Sequence, residues 1–182
     1  IMAIWNAPRL VEDHELKAID AALEIHRALM DAKFHEQGKP EIIARIGLHT
    51  ATVLAGNFGS QHRFSYTVMG DGVNLASRLE AMNKHYGTKI LISDETYNAA
   101  SKTVSNNEME GGPLVCRRVE KAAVKGKATS RLVYQVISHN GINLHPSLTQ
   151  DSIQTYEDAF DSFIDGDFEQ AYSQVSMLTV DP

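Results

Sequence analysis

The sequence predicts an α+β protein in which helices cover a mixed β-sheet, followed by a C-terminal helical hairpin. Strand-like and helix-like stretches interleave along residues 1–138, with strand hairpins expected near residues 50 and 128. Residues 151–182 instead show two helical stretches joined at Asp165, Gly166 and Asp167. Because local hairpins interrupt the alternation, the pattern favours a mixed sheet over a doubly wound parallel sheet.

Each element of the first 138 residues has a local signal at its ends. Residues 1–5 form an apolar β-type run without a preceding turn, which indicates that the chain begins inside a longer domain. Gly38 and Pro40 end a long helix that begins near Glu12. The predicted elements are strands at 1–5, 41–50, 51–57, 64–69, 89–92, 114–124 and 131–137, helices at 12–37, 71–86 and 93–100, and a glycine-rich turn at 56–60.

The stretch from Phe64 to Tyr86 is the most informative part of the chain. A β-type run breaks at Gly70, and a helix follows, with Asp71 as its predicted N-cap and an end at Gly87. Asn74 and Arg78 are spaced i,i+4 and lie together beside the apolar stripe of this helix. An amide and a guanidinium after a tight strand-to-helix turn suit anion recognition, although the spacing alone favours solvated surface residues.

The composition excludes several classes of function. The chain has 182 residues and a formal net charge of −6, and its basic residues are scattered, so no nucleic-acid interface is expected. No apolar run approaches the roughly 20 residues that a bilayer-spanning helix needs. The single cysteine, Cys116, excludes an internal disulfide and fits a reducing compartment.

The C-terminal part has a different character. Residues 139–150 are rich in turn-forming residues and are predicted to be a linker. The small residues Ala159, Gly166 and Ala171 in the following 151–182 segment match the pattern of a tetratricopeptide-like helical hairpin, which could bind a protein partner. An ordinary αα-hairpin explains the same spacing.

Four stretches together resemble the catalytic domain of class III adenylyl/guanylyl cyclases. They are IMAIWNAP at the start, IGLHT followed by AGNFGS, the block YTVMGDGVNLASRLE, and VKGK followed by a closing strand. The resemblance covers residues 1–138 as the C-terminal two-thirds of that domain. It implies a ferredoxin-like or palm-type mixed sheet covered by helices, and active sites formed between two antiparallel catalytic domains, hence a homodimer.

The resemblance also implies roles for individual residues. Asn74 matches the asparagine that orients the ribose, and Arg78 matches the arginine that stabilises phosphoryl charge in the transition state. Lys125 matches the lysine that holds the terminal phosphates. Thr67 occupies the purine-specifying position, where many adenylyl cyclases have Asp and a subgroup that includes the bicarbonate-responsive enzymes has Thr. Thr67 therefore favours ATP and leaves GTP open, and Ala51 departs from the glycine often found at its position.

The resemblance implies two Mg²⁺ or Mn²⁺ ions held by two aspartates, but both aspartates would lie upstream of Ile1. The chain alone is therefore expected to be inactive. Asp71 lies near the site, but N-capping explains its position better.

The resulting hypothesis is an adenylyl cyclase that converts ATP to 3′,5′-cyclic AMP and diphosphate through attack of the ribose 3′-hydroxyl. By resemblance the domain is expected to be cytoplasmic, either free or as part of a membrane-anchored protein. A guanylyl cyclase and a non-catalytic regulatory or scaffolding domain are the alternatives. A diguanylate cyclase is disfavoured because the sequence contains no GG(D/E)EF stretch.

Overall fold

The computed structural model describes residues 1–60, 63–106, 112–123 and 130–178, which form two compact units. The first unit extends from Ile1 to Leu144, and the second begins at His145. The helices are α1 (His14–Asp31), α2 (Asp71–Tyr86), α3 (Asp94–Asn106), α4 (Gln150–Ile164) and α5 (Phe168–Ser176), and a 3₁₀ turn covers Phe34–Gln37. The strands are β1 (Ile46–Leu48), β2 (Leu54–Ser60), β3 (Arg63–Met69), β4 (Ile90–Ser93), β5 (Val115–Ala123), β6 (Ser130–His139) and β7 (Ile142–Asn143).

The first unit is built on a mixed sheet with the strand order β1-β4-β6-β5, and β7 pairs with β6. β1 and β4 are parallel, whereas the other pairs are antiparallel. β2 and β3 form a separate antiparallel hairpin. The mixed sheet and its helices confirm the predicted α+β class.

Helices cover both faces of the central strand β4, all four residues of which are buried. Ile90 and Ile92 belong to a core cluster with residues of α1 and α3. Leu91 points to the opposite face, where it packs with Leu79 of α2 and Val133 of β6. Since successive side chains of a strand alternate between faces, a continuous apolar run such as Ile-Leu-Ile needs cover on both sides. α2 therefore lies across the sheet from α1 and α3.

The side chain of Asn83 ties the end of α2 to the start of β1. It is fully buried, and its Nδ2 donates to the backbone carbonyls of Ile46 and Leu79, each at 3.0 Å. Its Oδ1 accepts from the Thr88 hydroxyl at 2.8 Å. Every polar atom of this buried amide is thus paired, as an amide inside a core requires.

Replacing Asn83 with alanine is expected to lower the free energy of unfolding by about 2–4 kcal/mol, because it leaves the Ile46 carbonyl and the Thr88 hydroxyl without this partner. Urea denaturation measures the loss. Asn98→Ala is the matched control, since Asn98 is an exposed helical asparagine. Equal stabilities of the two variants would contradict the structural role given to Asn83.

Several predictions about the first 60 residues were wrong, including the strand predicted at 41–50, which is limited to Ile46–Leu48. Residues 1–5 do not form a strand: residues 1–4 have no regular structure and Trp5 lies in a bend, because no described strand pairs with them and a strand needs a hydrogen-bonding ladder. The helix predicted to Gln37 ends at Asp31, after which Lys33 has a φ of +45°. Residues 56–60 are part of β2 and not a turn, because they pair in register with β3, from Gly56 opposite Thr67 to Ser60 opposite Arg63.

The second unit is a helical hairpin, so the two predicted helices are present as α4 and α5. Thr149 caps α4 by accepting from the Ser152 amide, and Asp167 caps α5 by accepting from the Gln170 amide. The segment predicted as a linker contains β7, and Leu144 at its centre is buried. The relation of the hairpin to tetratricopeptide repeats stays a prediction. Within the described residues, no helix is both long enough and apolar enough to cross a membrane.

Candidate functional site

Three of the four predicted site residues lie on consecutive elements, β3 and α2. Thr67 is a half-buried residue of β3, and Asn74 and Arg78 lie one turn apart near the start of α2. Both helical residues are exposed, and neither has a hydrogen-bond or ion-pair partner among the described residues. An amide and a guanidinium that are free of other contacts remain available to a bound anion. Lys125, the fourth predicted residue, lies outside the described residues.

The turn between β3 and α2 depends on two glycines. Gly70 is the N-cap of α2 with a φ of +143°, a conformation that residues with a Cβ rarely adopt. The predicted N-cap, Asp71, is instead the first helical residue, where its carboxylate lies at the positive end of the helix dipole. A Cβ on Gly72 would come within 2.7 Å of the Ala51 Cβ, so the first turn of α2 lies directly against the segment after β1.

A third glycine, Gly47 of β1, sets the position of α2 on the sheet. A Cβ at this residue would lie 2.3 Å from the Glu80 amide nitrogen and 2.4 Å from the Ala76 carbonyl oxygen. Both atoms belong to the backbone of α2, so the helix contacts the strand without an intervening side chain. The helix that carries Asn74 and Arg78 is therefore fixed by backbone contact and by the Asn83 hydrogen bonds.

A cavity of about 170 Å³ lies beside this turn but is separate from the predicted site. It is lined by residues 2–5, the start of α1, the segment 47–51, and Val68, Gly72, Val73 and Ala76. Val68 lines it, whereas its neighbour Thr67 does not, as expected for alternating side chains of a strand. Asn74 and Arg78 are exposed, Thr67 is half-buried, and none of the three lines this cavity.

The described residues do not by themselves fit the two metal ions that the resemblance implies. No group of three or more His, Cys, Asp or Glu side chains among them could hold a metal ion. Asp71 is exposed on the first turn of α2, and no described carboxylate joins it to form such a group.

A polar cluster that was not predicted from the sequence joins the residue after β1 to β4, α3 and β6. Glu95 forms an ion pair with Arg131 and lies 3.7 Å from the Nδ1 atom of His49. The same Nδ1 atom is 2.8 Å from the Ser93 hydroxyl. Burial lowers the pKa of His49, although the charge of Glu95 opposes this effect. Only the adjacent acids after Ser93, at the start of α3, signalled this cluster in the sequence.

The pKa values of two adjacent carboxyl groups in this cluster are shifted in opposite directions. Burial, together with the neighbouring Glu95 carboxyl, raises the pKa of Asp94 to about 6. The pKa of Glu95 is lowered, because hydrogen bonds to its carboxylate and the nearby Arg131 charge outweigh the effect of burial. Asp94 therefore keeps its proton at a pH where Glu95 is already ionised.

Asp94→Asn is expected to flatten the pH dependence of stability between about pH 4 and 6 and to raise the melting temperature at pH 7. Below the unfolded pKa, Asp94 is protonated in both states, and its stabilising contribution is lost as the pH rises through the folded pKa of about 6. The uncharged asparagine side chain removes this loss. Its oxygen can still accept a hydrogen bond from the backbone N–H of Glu95, which donates to Asp94 Oδ1 in the wild type. Thermal melts across pH 3.5–7.5 measure the effect. Asp31→Asn, at an exposed helical position, should leave the profile unchanged, and parallel profiles of wild type and Asp94→Asn would contradict the assignment.

Comparison with known proteins gives a consistent set of relatives. The family model for the adenylate and guanylate cyclase catalytic domain matches residues 1–138. Adenylate cyclase 1 of Rhizobium meliloti (strain 1021) is 35% identical over 139 residues, which are 75% of this chain and 19% of that protein. The adenylate cyclase of Anabaena cylindrica is 34% identical over 128 residues, covering 65% of this chain and 24% of that protein. The chain thus spans about a fifth to a quarter of the length of these two relatives.

Solved structures agree with this result. The adenylyl cyclase CyaB from P. aeruginosa matches with a TM-score of 0.55 and 30% identity, over 75% of this chain and 66% of that chain. The guanylyl cyclase Cya2 matches with a TM-score of 0.56 and 28% identity, over 80% and 67% of the two chains. Because the family model matches well over half of the sequence, the chain belongs to the adenylate and guanylate cyclase catalytic domain family.

Proposed function

We propose that this protein is an adenylyl cyclase, which converts ATP to 3′,5′-cyclic AMP and diphosphate. The observation that carries the proposal is the pair Asn74 and Arg78, exposed one turn apart on α2 directly after the strand that bears Thr67. The similarity to adenylate cyclases of Rhizobium meliloti and Anabaena cylindrica supports the choice of ATP.

Each residue has a role that suits its chemistry. The Asn74 amide offers both a donor and an acceptor to the ribose. The Arg78 guanidinium presents several fixed donors to the negative charge that develops on the phosphoryl group. The Thr67 hydroxyl can accept a hydrogen bond from the adenine amino group, and Lys125 would hold the terminal phosphates.

We further propose that the complete site needs groups beyond those that the described residues of one subunit supply. Asn74 and Arg78 lie on an open surface, which is the arrangement expected if a second copy of the domain covers the nucleotide. The ligands of two Mg²⁺ or Mn²⁺ ions would be aspartates upstream of Ile1. When bound, such ions supply activation of the 3′-hydroxyl and neutralisation of the triphosphate. The part played by this chain is to bind the nucleotide and to stabilise phosphoryl charge.

The test is an assay of cyclic nucleotide formation from ATP and from GTP, with Mg²⁺ or Mn²⁺. It should be run on the 182-residue chain and on a form extended upstream of Ile1. The extended form is expected to produce cyclic AMP, and the 182-residue chain is expected to be inactive. An extended form that carries both aspartates but makes no cyclic nucleotide would contradict the proposal and favour a regulatory or scaffolding role.

Guanylyl cyclase activity is the second candidate, because the family includes both activities and Cya2, a guanylyl cyclase, is among the similar structures. A threonine at position 67 specifies the purine less firmly than a carboxylate, since a hydroxyl both donates and accepts. The ratio of kcat/KM for ATP to that for GTP decides between the two. A clear preference for GTP would overturn the choice of ATP without affecting the proposed roles of Asn74 and Arg78.

A further inference from the structure

A second, larger cleft lies at the opposite end of α2 from Asn74. It has a volume of about 540 Å³ and is bounded by the end of α1, the segment before β1 and the end of α2. We refer to it as the α1–α2 cleft. Its volume lies within the range of about 300–1,000 Å³ that is usual for small-molecule sites. None of Thr67, Asn74 and Arg78 lines this cleft, and Lys84 lies six residues beyond Arg78, about 9 Å along the helix axis.

The walls of the α1–α2 cleft are apolar and partly exposed. Leu29, Met30 and Phe34 line it from the α1 side, and Ile42 and Ile43 line it from the segment before β1. Met30, Ile42 and Ile43 are 49%, 52% and 67% exposed, respectively. An apolar ligand in the cleft would remove part of this surface from water, which is favourable by roughly 25 cal/mol per Å².

The rim of the cleft is positively charged, in contrast to the net charge of −6 of the whole chain. Lys33, Arg45, Lys84 and Lys89 line it together with a single acid, Glu41. Lys33 pairs with Glu36 at 3.0 Å. Within the described part of the chain, Arg45, Lys84 and Lys89 have no carboxylate partner. Three uncompensated cations around an apolar cleft favour an anionic ligand.

His26 provides a second and independent sign of a ligand. It lines the cleft, is only 6% exposed, and its Nε2 atom has no hydrogen-bond partner among the described residues. Burial, followed by the nearby charge of Lys89, lowers the pKa of His26, although a hydrogen bond with the Lys89 backbone opposes this effect. A buried polar atom without a partner is costly. An anionic group beside the ring would favour its protonated form, in which the Nε2–H donates a hydrogen bond to the anionic oxygen.

We propose that the α1–α2 cleft binds a small organic anion with an apolar body, such as a medium-chain carboxylate. The anionic group would lie among Arg45, Lys84 and Lys89 and within reach of His26. The apolar body would pack against the side chains contributed by α1 and by the segment before β1. The proposal concerns binding alone and does not depend on the proposed cyclase activity.

The test uses the 182-residue chain with three probes, octanoate, 1-octanol and acetate, followed by calorimetry and by NMR of the His26 ring. Octanoate shares its apolar body with octanol and its charge with acetate. We expect octanoate to bind at least tenfold more tightly than either of the other probes and to shift the His26 ring signals. Equal affinity for octanoate and octanol would overturn the proposal, as would the absence of octanoate binding.

Variants localise the binding. Arg45→Ala combined with Lys84→Ala is expected to weaken octanoate binding at least tenfold, and Ile43→Asp should weaken it through the apolar wall. All three positions are exposed, and thermal melts of the free variants verify folding. Arg27→Ala combined with Lys102→Ala is the matched control, because both residues are exposed cations outside the cleft. Unchanged affinity in both cleft variants would refute the proposed location.

Discussion

Replacing Arg78 with alanine is expected to lower kcat for cyclic nucleotide formation by a factor of about 100–1,000, the effect typical of losing one preorganised donor to developing charge. The measurement is the steady-state rate in a form of the protein that cyclises ATP. The loss should fall on kcat more than on KM, because the guanidinium acts on charge that is greatest in the transition state. Stability should change little, since Arg78 is exposed and makes no ion pair with a described residue.

Two further variants sharpen this test. Arg78→Lys keeps the positive charge but not the planar set of donors, so it should recover only part of the rate. Arg27→Ala removes an exposed arginine from α1 and should leave the rate unchanged. If Arg78→Ala retained the full rate, Arg78 would not be a catalytic residue, and the proposed site on α2 would have to be abandoned.

Gly47→Ala is expected to cause the largest loss of stability, about 3 kcal/mol or more. The added methyl group would lie 2.3 Å from the Glu80 nitrogen and 2.4 Å from the Ala76 oxygen, so α2 must move away from β1. Backbone atoms in the middle of a helix cannot rotate aside as the end of a flexible side chain can. A fall in melting temperature of about 6–12 °C corresponds to this loss in a protein of this size.

Gly56→Ala is the matched control for this prediction. Gly56 is also a strand residue, but its added Cβ would meet only the end of the Phe58 ring at 3.7 Å, an ordinary contact. The control variant should therefore melt close to the wild type. If Gly47→Ala were equally stable, β1 and α2 could not lie as close together as the structure places them.

The predictions from the sequence were most accurate for helices whose ends carry capping residues. The helix predicted at 71–86 is α2, and Gly87 follows it with a φ of +64°, as expected for a left-handed C-cap. Ser93, predicted to cap the next helix, precedes α3, and its hydroxyl accepts from the Thr96 amide at 3.4 Å. These features depend on residues close together in the chain, and local steric and hydrogen-bonding preferences decide them.

The features that could not be predicted depend on contacts between distant parts of the chain. The need for glycine at position 47 arises from the crossing of α2, about thirty residues later in the sequence. His49 and Ser93 are 44 positions apart, yet their side chains share a hydrogen bond. Residues 1–5 have strand-like composition, but composition cannot supply the neighbouring strand that a ladder needs. Of the predicted site residues, Asn74 and Arg78 lie one turn apart on α2 because they are also close in sequence, and their role stays a prediction.

The close approach of Gly72 to Ala51 gives mutations at these two positions a preferred order. A methyl group at position 72 would meet the Ala51 methyl group at 2.7 Å, so Gly72→Ala alone forces the start of α2 to shift. Ala51→Gly removes the main obstacle, and the same change at position 72 then costs less. In an evolving sequence, Ala51→Gly must therefore come before Gly72→Ala if a clash between the two methyl groups is to be avoided.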